Sequence, residues 1–192
     1  MSRTRRYQLL YVLAVLILLA LVGLTCLWAG VAGLVAAAVL LVLPGRVGGY
    51  YLGDLFRGRK LIDQLLFNQG IDASKAFLAD VQRQPWRRHF IYCHYAFYTW
   101  DVEAMAHNNI GAGHMELGDL DEAERDLRYA LQKDPDYPLP YFNLGVIAYV
   151  RGDATAGDRL ILVAGEKGYT GGQVDRLISR VAETYARLQA RG

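Results

Sequence analysis

The chain begins with a long apolar run, and its remainder mixes apolar with charged positions. From Tyr7 to Leu43 it contains no Asp, Glu, Lys, Arg or His. As one straight helix these 37 residues would be roughly 55 Å long, whereas the hydrocarbon core of a bilayer is roughly 30 Å thick. Two helices folded back on each other fit that thickness better. We therefore predict a transmembrane hairpin with helices at about 7–27 and 30–51 and a break near Gly30 and Gly33.

Basic residues flank the apolar run at both ends. One cluster precedes it (Arg3, Arg5, Arg6), and a second follows it (Arg46, Arg57, Arg59, Lys60). Basic flanks of membrane helices stay on the cytoplasmic side, so both ends of the run are predicted there, with the second cluster at the membrane surface. A single span cannot place both clusters on one side. A cleaved signal peptide is the alternative, but its apolar region is about 7–15 residues long.

Two apolar patterns beyond the anchor predict further helices. After Gly171-Gly172, apolar residues recur at steps of three and four, which predicts a one-sided capping helix over 173–192. Its apolar positions are Val174, Leu177, Ile178, Val181, Tyr185 and Leu188. The aromatic segment Phe90–Trp100 is predicted to form a helix, with a strand as the alternative because aromatic residues favour sheets.

The segment between these two patterns repeats itself at an offset of 34 residues. The offset aligns Gly111 with Gly145, and the pair Gly118-Asp119 with Gly152-Asp153. It also aligns Asn109 with Asn143, Ile110 with Leu144, and Ala130 with Ala164. Such a period is typical of stacked helix pairs, in which each unit buries its apolar side against the next.

The repeated residues resemble the tetratricopeptide repeat family. The first copy reads His107-x2-Ile110-Gly111-x2-His114, then Ala123-x3-Leu127, then Pro135. The second reads Tyr141-x2-Leu144-Gly145-x2-Ala148, then Gly157-x3-Ile161, with Tyr169 in place of the proline. The resemblance implies an α-solenoid in which small residues such as Gly111 and Gly145 allow close helix packing. None of these residues performs chemistry.

An earlier, degenerate unit precedes these two copies. Residues 60–67 have apolar side chains at helical spacing, Asn68-Gln69-Gly70 predicts a turn, and Ala73-x3-Phe77 followed by Pro85 resembles the second half of a repeat. The predicted fold is therefore all-α. Its parts are a membrane anchor over 1–57, the degenerate repeat and aromatic helix over 58–103, two repeats over 104–172 and the capping helix over 173–192.

The family resemblance also implies where a partner binds. In that family the first helix of each repeat lines a concave groove. The positions predicted to line it here are Met105, Asn108, Ala112, Met115, Glu116, Leu139, Phe142, Val146, Tyr149 and Val150. Because this lining is largely apolar, it suits an amphipathic helix or an apolar peptide, or else one of the protein's own helices. Members that clamp a peptide's carboxylate use basic residues that these positions lack.

No motif indicates catalysis or a cofactor. The chain has no nucleophile elbow, phosphate loop, dinucleotide fingerprint or HExxH motif. His107 and His114 occupy positions where the family packs large side chains, so we interpret them as packing residues. His89, Cys93 and His94 lack a fourth ligand for zinc. We therefore predict a protein that is not an enzyme and holds no cofactor or metal.

Charge and composition complete the functional hypothesis. Residues 1–60 carry a net charge of +6 and residues 61–192 a net charge of −4, so the domain lacks the basic face that nucleic acid requires. Seventeen Arg against four Lys suggest a bacterial, GC-rich source. The prediction is a scaffold or adaptor at the cytoplasmic face of a bacterial inner membrane. The alternative is an accessory subunit whose hairpin packs against partner transmembrane helices. Trp86-Arg87-Arg88 with Phe90, Tyr92 and Tyr95 is a further candidate for contact with the membrane surface.

Overall fold

The computed structural model describes residues 3–93, 98–172 and 174–190, and within these ranges all regular secondary structure is helical. The all-α fold class is therefore confirmed. The α-helices are α1 (Arg3–Tyr51), α2 (Gly53–Asp63), α3 (Phe67–Arg83), α4 (Val102–Leu117), α5 (Leu120–Lys133), α6 (Pro138–Val150), α7 (Ala154–Glu166) and α8 (Val174–Gln189). A 3-10 helix covers Pro85–Cys93. Residues 94–97 of the predicted aromatic helix, which include His94 and Tyr95, and residues 173, 191 and 192 of the predicted capping helix lie outside the described residues.

Helix α1 is apolar on every side and breaks at Gly30, whose φ of 55° and ψ of −131° are not helical. The break lies in the segment where the sequence predicts one. Among the described residues, no single helix is long and apolar enough to cross a membrane. One pair bent by 82°, Gln8–Leu24 with Cys26–Gly33, satisfies both criteria together. This bend does not establish two antiparallel arms, so the hairpin stays a prediction.

The same turn closes three consecutive helix pairs, α2–α3, α4–α5 and α6–α7. In each turn one residue has a left-handed backbone conformation, and its N–H donates a hydrogen bond to the carbonyl three positions earlier. The next amide donates to the carbonyl five positions earlier. The left-handed residues are Leu65 (φ 63°), Gly118 (φ 86°) and Gly152 (φ 87°). Leu65 thus occupies the first turn without the glycine that this conformation favours.

The two helices of each pair approach each other closely at a glycine, which lies seven positions before the left-handed residue of the turn. A Cβ atom on Gly111 would lie 2.7 Å from Leu127 Cγ, and one on Gly145 would lie 2.8 Å from Ile161 Cγ1. Such distances are shorter than real carbon contacts, so a side chain at either position forces its neighbour to move. Gly58 on α2 has the same relation to Ser74. The structure therefore confirms that Gly111 and Gly145 permit close helix packing.

Helices α2 and α3 form a first unit in register with the other two. Leu65 and Gly118 are 53 positions apart, whereas Gly118 and Gly152 are 34 apart. The nineteen extra positions correspond to an insertion over 85–103, which contains the 3-10 helix. The turn predicted at Asn68-Gln69-Gly70 is wrong, because these residues lie inside α3. The composition of that tripeptide favours a turn, but the left-handed backbone at Leu65 reverses the chain earlier.

Two buried asparagines at equivalent positions connect neighbouring units. Asn109 Nδ2 donates to the Leu55 carbonyl at 3.3 Å, and Asn143 Nδ2 donates to Asn108 Oδ1 at 3.1 Å. Leu55 and Asn108 are themselves equivalent, since they stand 53 positions apart as Leu65 and Gly118 do. Buried amides that find partners in the next unit fix the stagger between units, because any other register leaves them unpaired.

The described beginning of the aromatic segment, Phe90–Cys93, belongs to the 3-10 helix, which packs on the first unit. Ile91 is buried in a cluster with Leu52, Phe77 and Val102, and Phe90 packs against that cluster. A 3-10 helix has three residues per turn, so positions three apart share a face. Trp86, His89 and Tyr92 accordingly form an exposed face, while Phe90 and Ile91 point inward. The 3-10 winding thus allows the adjacent residues Phe90 and Ile91 both to pack against the first unit.

Candidate protein-binding cleft

Helix α8 covers the face formed by the first helices of the second and third units. It packs against α4 and α6. Val181 is fully buried in one cluster with Met115, Phe142 and Val146, and the partly buried Leu177, Ile178 and Tyr185 pack around them. The predicted capping helix therefore occupies much of the predicted groove. The sequence leaves this possibility open, because an apolar groove also suits one of the protein's own helices.

Polar contacts and close backbone approach hold α8 in this position. The Arg180 guanidinium donates two hydrogen bonds to the Glu116 carboxylate, one of them from Nε at 2.8 Å. Only 9% of the Glu116 side chain is exposed. A Cβ atom on Gly118 would lie 3.3 Å from the Tyr185 backbone, so α8 also approaches the end of α4 closely. A paired Arg–carboxylate fork of this kind adds orientation as well as attraction.

A cleft of about 300 Å³ remains between α2 and α8. Its apolar lining comprises Ile62, Leu65, Ala112, Met115, Leu139, Phe142, Tyr169 and Leu177, and its polar lining comprises Arg59, Asp63, Glu116, Asn143, Arg176 and Arg180. The rings of Phe142 and Tyr169 contact each other at a tilt of 31°, with centroids 4.4 Å apart. Burial, and then the neighbouring Tyr98, raise the pKa of the Tyr169 phenol. Tyr169 therefore keeps its proton at neutral pH.

Among the described residues, one of the three arginines that line the cleft has no ion-pair partner. Arg59 pairs with Asp63 at 3.1 Å, and Arg180 is engaged by Glu116. Arg176 is exposed on α8 and has no ion-pair partner among the described residues. Three arginines against two carboxylates give the cleft a net charge of +1. It therefore combines an apolar floor with a cation able to receive a carboxylate from outside.

The predicted groove residues divide into two groups. Ala112, Met115, Glu116, Leu139 and Phe142 line the cleft. The other five do not, because they are used inside the fold. Met105 packs beside the Phe77 cluster, Val146 and Val150 belong to the core beneath α8, and Asn108 is fully buried. The Tyr149 hydroxyl donates to Asp158, which raises the pKa of that phenol.

The charged part of the cleft comes from outside the two clear repeats. Sequence reasoning misses Arg176 and Arg180 because they lie on the polar side of α8, and nothing in the sequence places α8 beside α4. Arg59, predicted at the membrane surface, contributes its side chain to the cleft. The other members of that cluster, Arg46, Arg57 and Lys60, are exposed on α1 and α2.

The two histidines of α4 differ in their contacts. His107 Nδ1 lies 2.9 Å from Asp126 Oδ1, and its ring contacts Tyr129 at 5.5 Å between centroids. His114 Nδ1 is buried without a hydrogen-bond partner among the described residues, since Asp119 Oδ2 lies 3.7 Å away, too far for a hydrogen bond. Within the part of the chain that the structure describes, no three His, Cys, Asp or Glu side chains are grouped in a way that could hold a metal ion.

Comparison with known proteins gives one match. No curated protein matches the chain, and no solved structure does either. Residues 104–137, which comprise α4, α5 and the approach to α6, match the tetratricopeptide repeat family. Repeats of this family generally mediate protein–protein interaction and are not enzymatic. The chain therefore carries a tetratricopeptide repeat, a unit that generally binds other proteins.

Proposed function

We propose that this protein is a membrane-anchored adaptor whose cleft between α2 and α8 binds a segment of another protein. The observation that carries the proposal is that the cleft combines an apolar floor with the guanidinium of Arg176, which has no ion-pair partner within the described part of the chain. A segment with apolar side chains and one carboxylate complements both features. Helix α8 already shows that this face accepts an amphipathic helix, because its own apolar side is buried there.

Anchoring by α1 is supported by its exposed apolar side chains. Leu27 is 85% exposed, Trp28 88% and Val31 78%. A helix that is apolar on all sides needs a nonpolar environment around it, which a bilayer supplies. The basic clusters at both ends favour a cytoplasmic orientation of the helical domain in a bacterial inner membrane. Reporters fused at Ser2 and at Gly192 test this orientation, and a reporter outside the cytoplasm at Gly192 contradicts it.

Binding in the cleft is tested with the full chain in lipid nanodiscs. A displayed library of random peptides is selected against it, and the affinity of enriched peptides is measured. We expect enriched peptides to combine apolar residues with Asp or Glu. Arg176→Glu should weaken their binding about tenfold or more, since reversing a charge replaces attraction by repulsion at one contact.

A matched control lies on the same helix. Arg187 is 64% exposed, pairs with Glu183 and does not line the cleft. Arg187→Glu should leave peptide affinity unchanged. Equal binding to Arg176→Glu and to the unmodified protein contradicts the cleft as the binding site, and so does enrichment without any acidic residue.

The exposed apolar surface of α1 also supports a second candidate function. Partner transmembrane helices cover such a surface as well as lipid does, which fits an accessory subunit of a membrane complex. Replacing residues 1–43, which leaves Tyr50 and Tyr51 in place, with an unrelated membrane hairpin separates the two functions. An adaptor keeps its partners after this exchange, whereas an accessory subunit loses them in a mild-detergent pull-down.

A further inference from the structure

Four aromatic rings form a continuous cluster where α1 meets the 3-10 helix. Tyr51 is its centre. Its ring contacts Tyr50 at 5.1 Å, Trp86 at 4.9 Å and Phe90 at 4.6 Å between centroids, and Trp86 contacts Phe90 at 5.7 Å. We call Tyr50, Tyr51, Trp86 and Phe90 the aromatic collar. It lies directly at the end of the apolar helix.

The outer side of the collar is exposed although it is rich in large rings. Tyr50 is 79% exposed and Trp86 is 47% exposed. The exposed face of the 3-10 helix extends this surface with Tyr92, which is 58% exposed, and with His89, whose ring stacks on it at 6.4 Å. A contiguous exposed surface of this type marks a contact site rather than ordinary solvent-facing structure.

The inner side of the collar is fixed to the folded domain. Phe90 packs on the cluster of Leu52, Phe77 and Ile91. Arg87 donates to the Tyr51 carbonyl at 3.0 Å and to Asp80 at 2.6 Å, and its guanidinium lies 5.8 Å from the Tyr51 ring centre. The collar therefore keeps a fixed position relative to α2 and α3.

The place of the collar at the end of α1 and the chemistry of its side chains both indicate a lipid bilayer as its partner. Tyr and Trp combine an apolar ring with a polar group, and they concentrate at the headgroup level of membranes. The collar lies at the C-terminal end of α1, beyond its apolar run. Arg46 is exposed and precedes Tyr50 by four residues, so both lie on one face of α1. A cation beside exposed rings complements an anionic headgroup layer.

We propose that the aromatic collar is a membrane-contact surface that seats the helical domain in the headgroup layer of an anionic bilayer. This inference rests on the proposed insertion of α1 and adds to it a second, lateral contact. Contact through Tyr50, Trp86 and Tyr92 holds the first repeat unit against the membrane, and the cleft then has one orientation relative to the bilayer. Arg87 is not part of this contact, since its side chain is 12% exposed and bonded on both sides.

Tryptophan quenching by brominated lipid tests the proposal on the full chain. The protein is reconstituted in vesicles of phosphatidylcholine and phosphatidylglycerol, with bromine placed either near the headgroup or near the acyl-chain end. Two single-tryptophan variants retain either Trp86 or Trp28, and the remaining tryptophans become Phe. A third variant places Leu162→Trp in a background without other tryptophans. Leu162 is 63% exposed on α7, away from the collar.

We expect Trp86 to be quenched more strongly by bromine near the headgroup than by bromine near the chain end, and the tryptophan at position 162 to be unaffected. If Trp28 is quenched and Trp86 is not, the anchor is supported and the collar proposal is overturned. If Trp86 is quenched and Trp28 is not, the collar stands and the insertion of α1 fails. Absence of quenching at both positions overturns both. Trp100→Tyr replaces Trp100→Phe if the latter reduces helix content.

Discussion

The Arg87 guanidinium donates a hydrogen bond to the main-chain carbonyl of Tyr51, the last residue of α1, at 3.0 Å. Carbonyls at the end of a helix have no partner within that helix, so a cation there satisfies one of them and complements the helix dipole. The same guanidinium pairs with Asp80 on α3 at 2.6 Å. One side chain thus joins the apolar helix, the 3-10 helix and the first repeat unit. Arg87 is therefore structural rather than a ligand for lipid headgroups.

Arg87→Met should lower the free energy of unfolding by about 2–3 kcal/mol, because two charge-assisted bonds are lost and the Tyr51 carbonyl becomes unpaired. Arg88→Met is the control. Arg88 is 46% exposed and lies 3.6 Å from Glu103, so its loss should change stability by less than about 1 kcal/mol. Thermal unfolding in detergent, followed by near-ultraviolet circular dichroism, measures both. Equal destabilisation by the two substitutions contradicts the joint role of Arg87.

Leu65→Gly should stabilise the protein by about 1 kcal/mol. A left-handed backbone at a non-glycine residue costs roughly 1–2 kcal/mol, and glycine removes that cost while enlarging the entropy of the unfolded chain. Leu65 is 60% exposed, so little apolar burial is lost. Its neighbour Leu66 is the control, because its φ of −94° suits any residue. Leu66→Gly should destabilise, and a loss of stability in Leu65→Gly argues against strain at that turn.

Gly111→Ala should destabilise the protein by about 1–3 kcal/mol through overpacking. The new Cβ atom lies 2.7 Å from Leu127 Cγ and 3.0 Å from the Ala123 carbonyl oxygen, which belongs to the backbone and cannot rotate away. Gly165→Ala on α7 meets nothing within 4 Å. That control should be neutral or stabilising by at most about 0.5 kcal/mol, because Gly165 lies in the last turn of α7, where glycine costs less than in a helix interior. Chemical denaturation distinguishes the two, and an equal effect at both sites refutes a packing role for Gly111.

The Glu124 carboxylate gives the fold a stability component that depends on pH. Partial burial alone would raise its pKa, but a hydrogen bond from Arg151 and the nearby charge of Arg128 lower the pKa below the usual 4.5. A lowered folded-state pKa stabilises the fold above the unfolded-state pKa, and this stabilisation is lost as pH falls through the folded-state value. The stability difference between the native protein and Glu124→Gln should therefore be constant near neutral pH and shrink below about 4.5.

Arg151→Met provides the control for Glu124. It removes the strongest of the interactions that lower this pKa. In the Arg151→Met background, the effect of Glu124→Gln should therefore depend less on pH. Melting temperatures of the four proteins across the acid range complete the cycle. The same pH dependence with and without Arg151 contradicts the assigned cause.

Local patterns in the sequence are sufficient to predict the close contacts and the turns of the second and third helix pairs. Gly111 and Gly145 mark close helix contacts, and Gly118 and Gly152 mark the left-handed turns, since each requirement involves only residues within one helix pair. The first pair is less predictable because Leu65 replaces the turn glycine. Composition instead indicates a turn at Asn68-Gln69-Gly70, which lies inside α3. The five predicted groove residues that line the cleft follow from what the family resemblance implies about the first helix of each repeat.

The sequence by itself determined the apolar N-terminal segment, the 34-residue period and the amphipathic character of α8, because each is a pattern along one stretch of chain. Only the tertiary structure decided where α8 packs. Its apolar side fits any apolar surface, and the choice of α4 and α6 depends on the contacts of Val181 and on the pairing of Arg180 with Glu116. That choice fills much of the predicted groove and brings Arg176 and Arg180 to the cleft. Contacts between distant segments determine the site, and no local pattern encodes them.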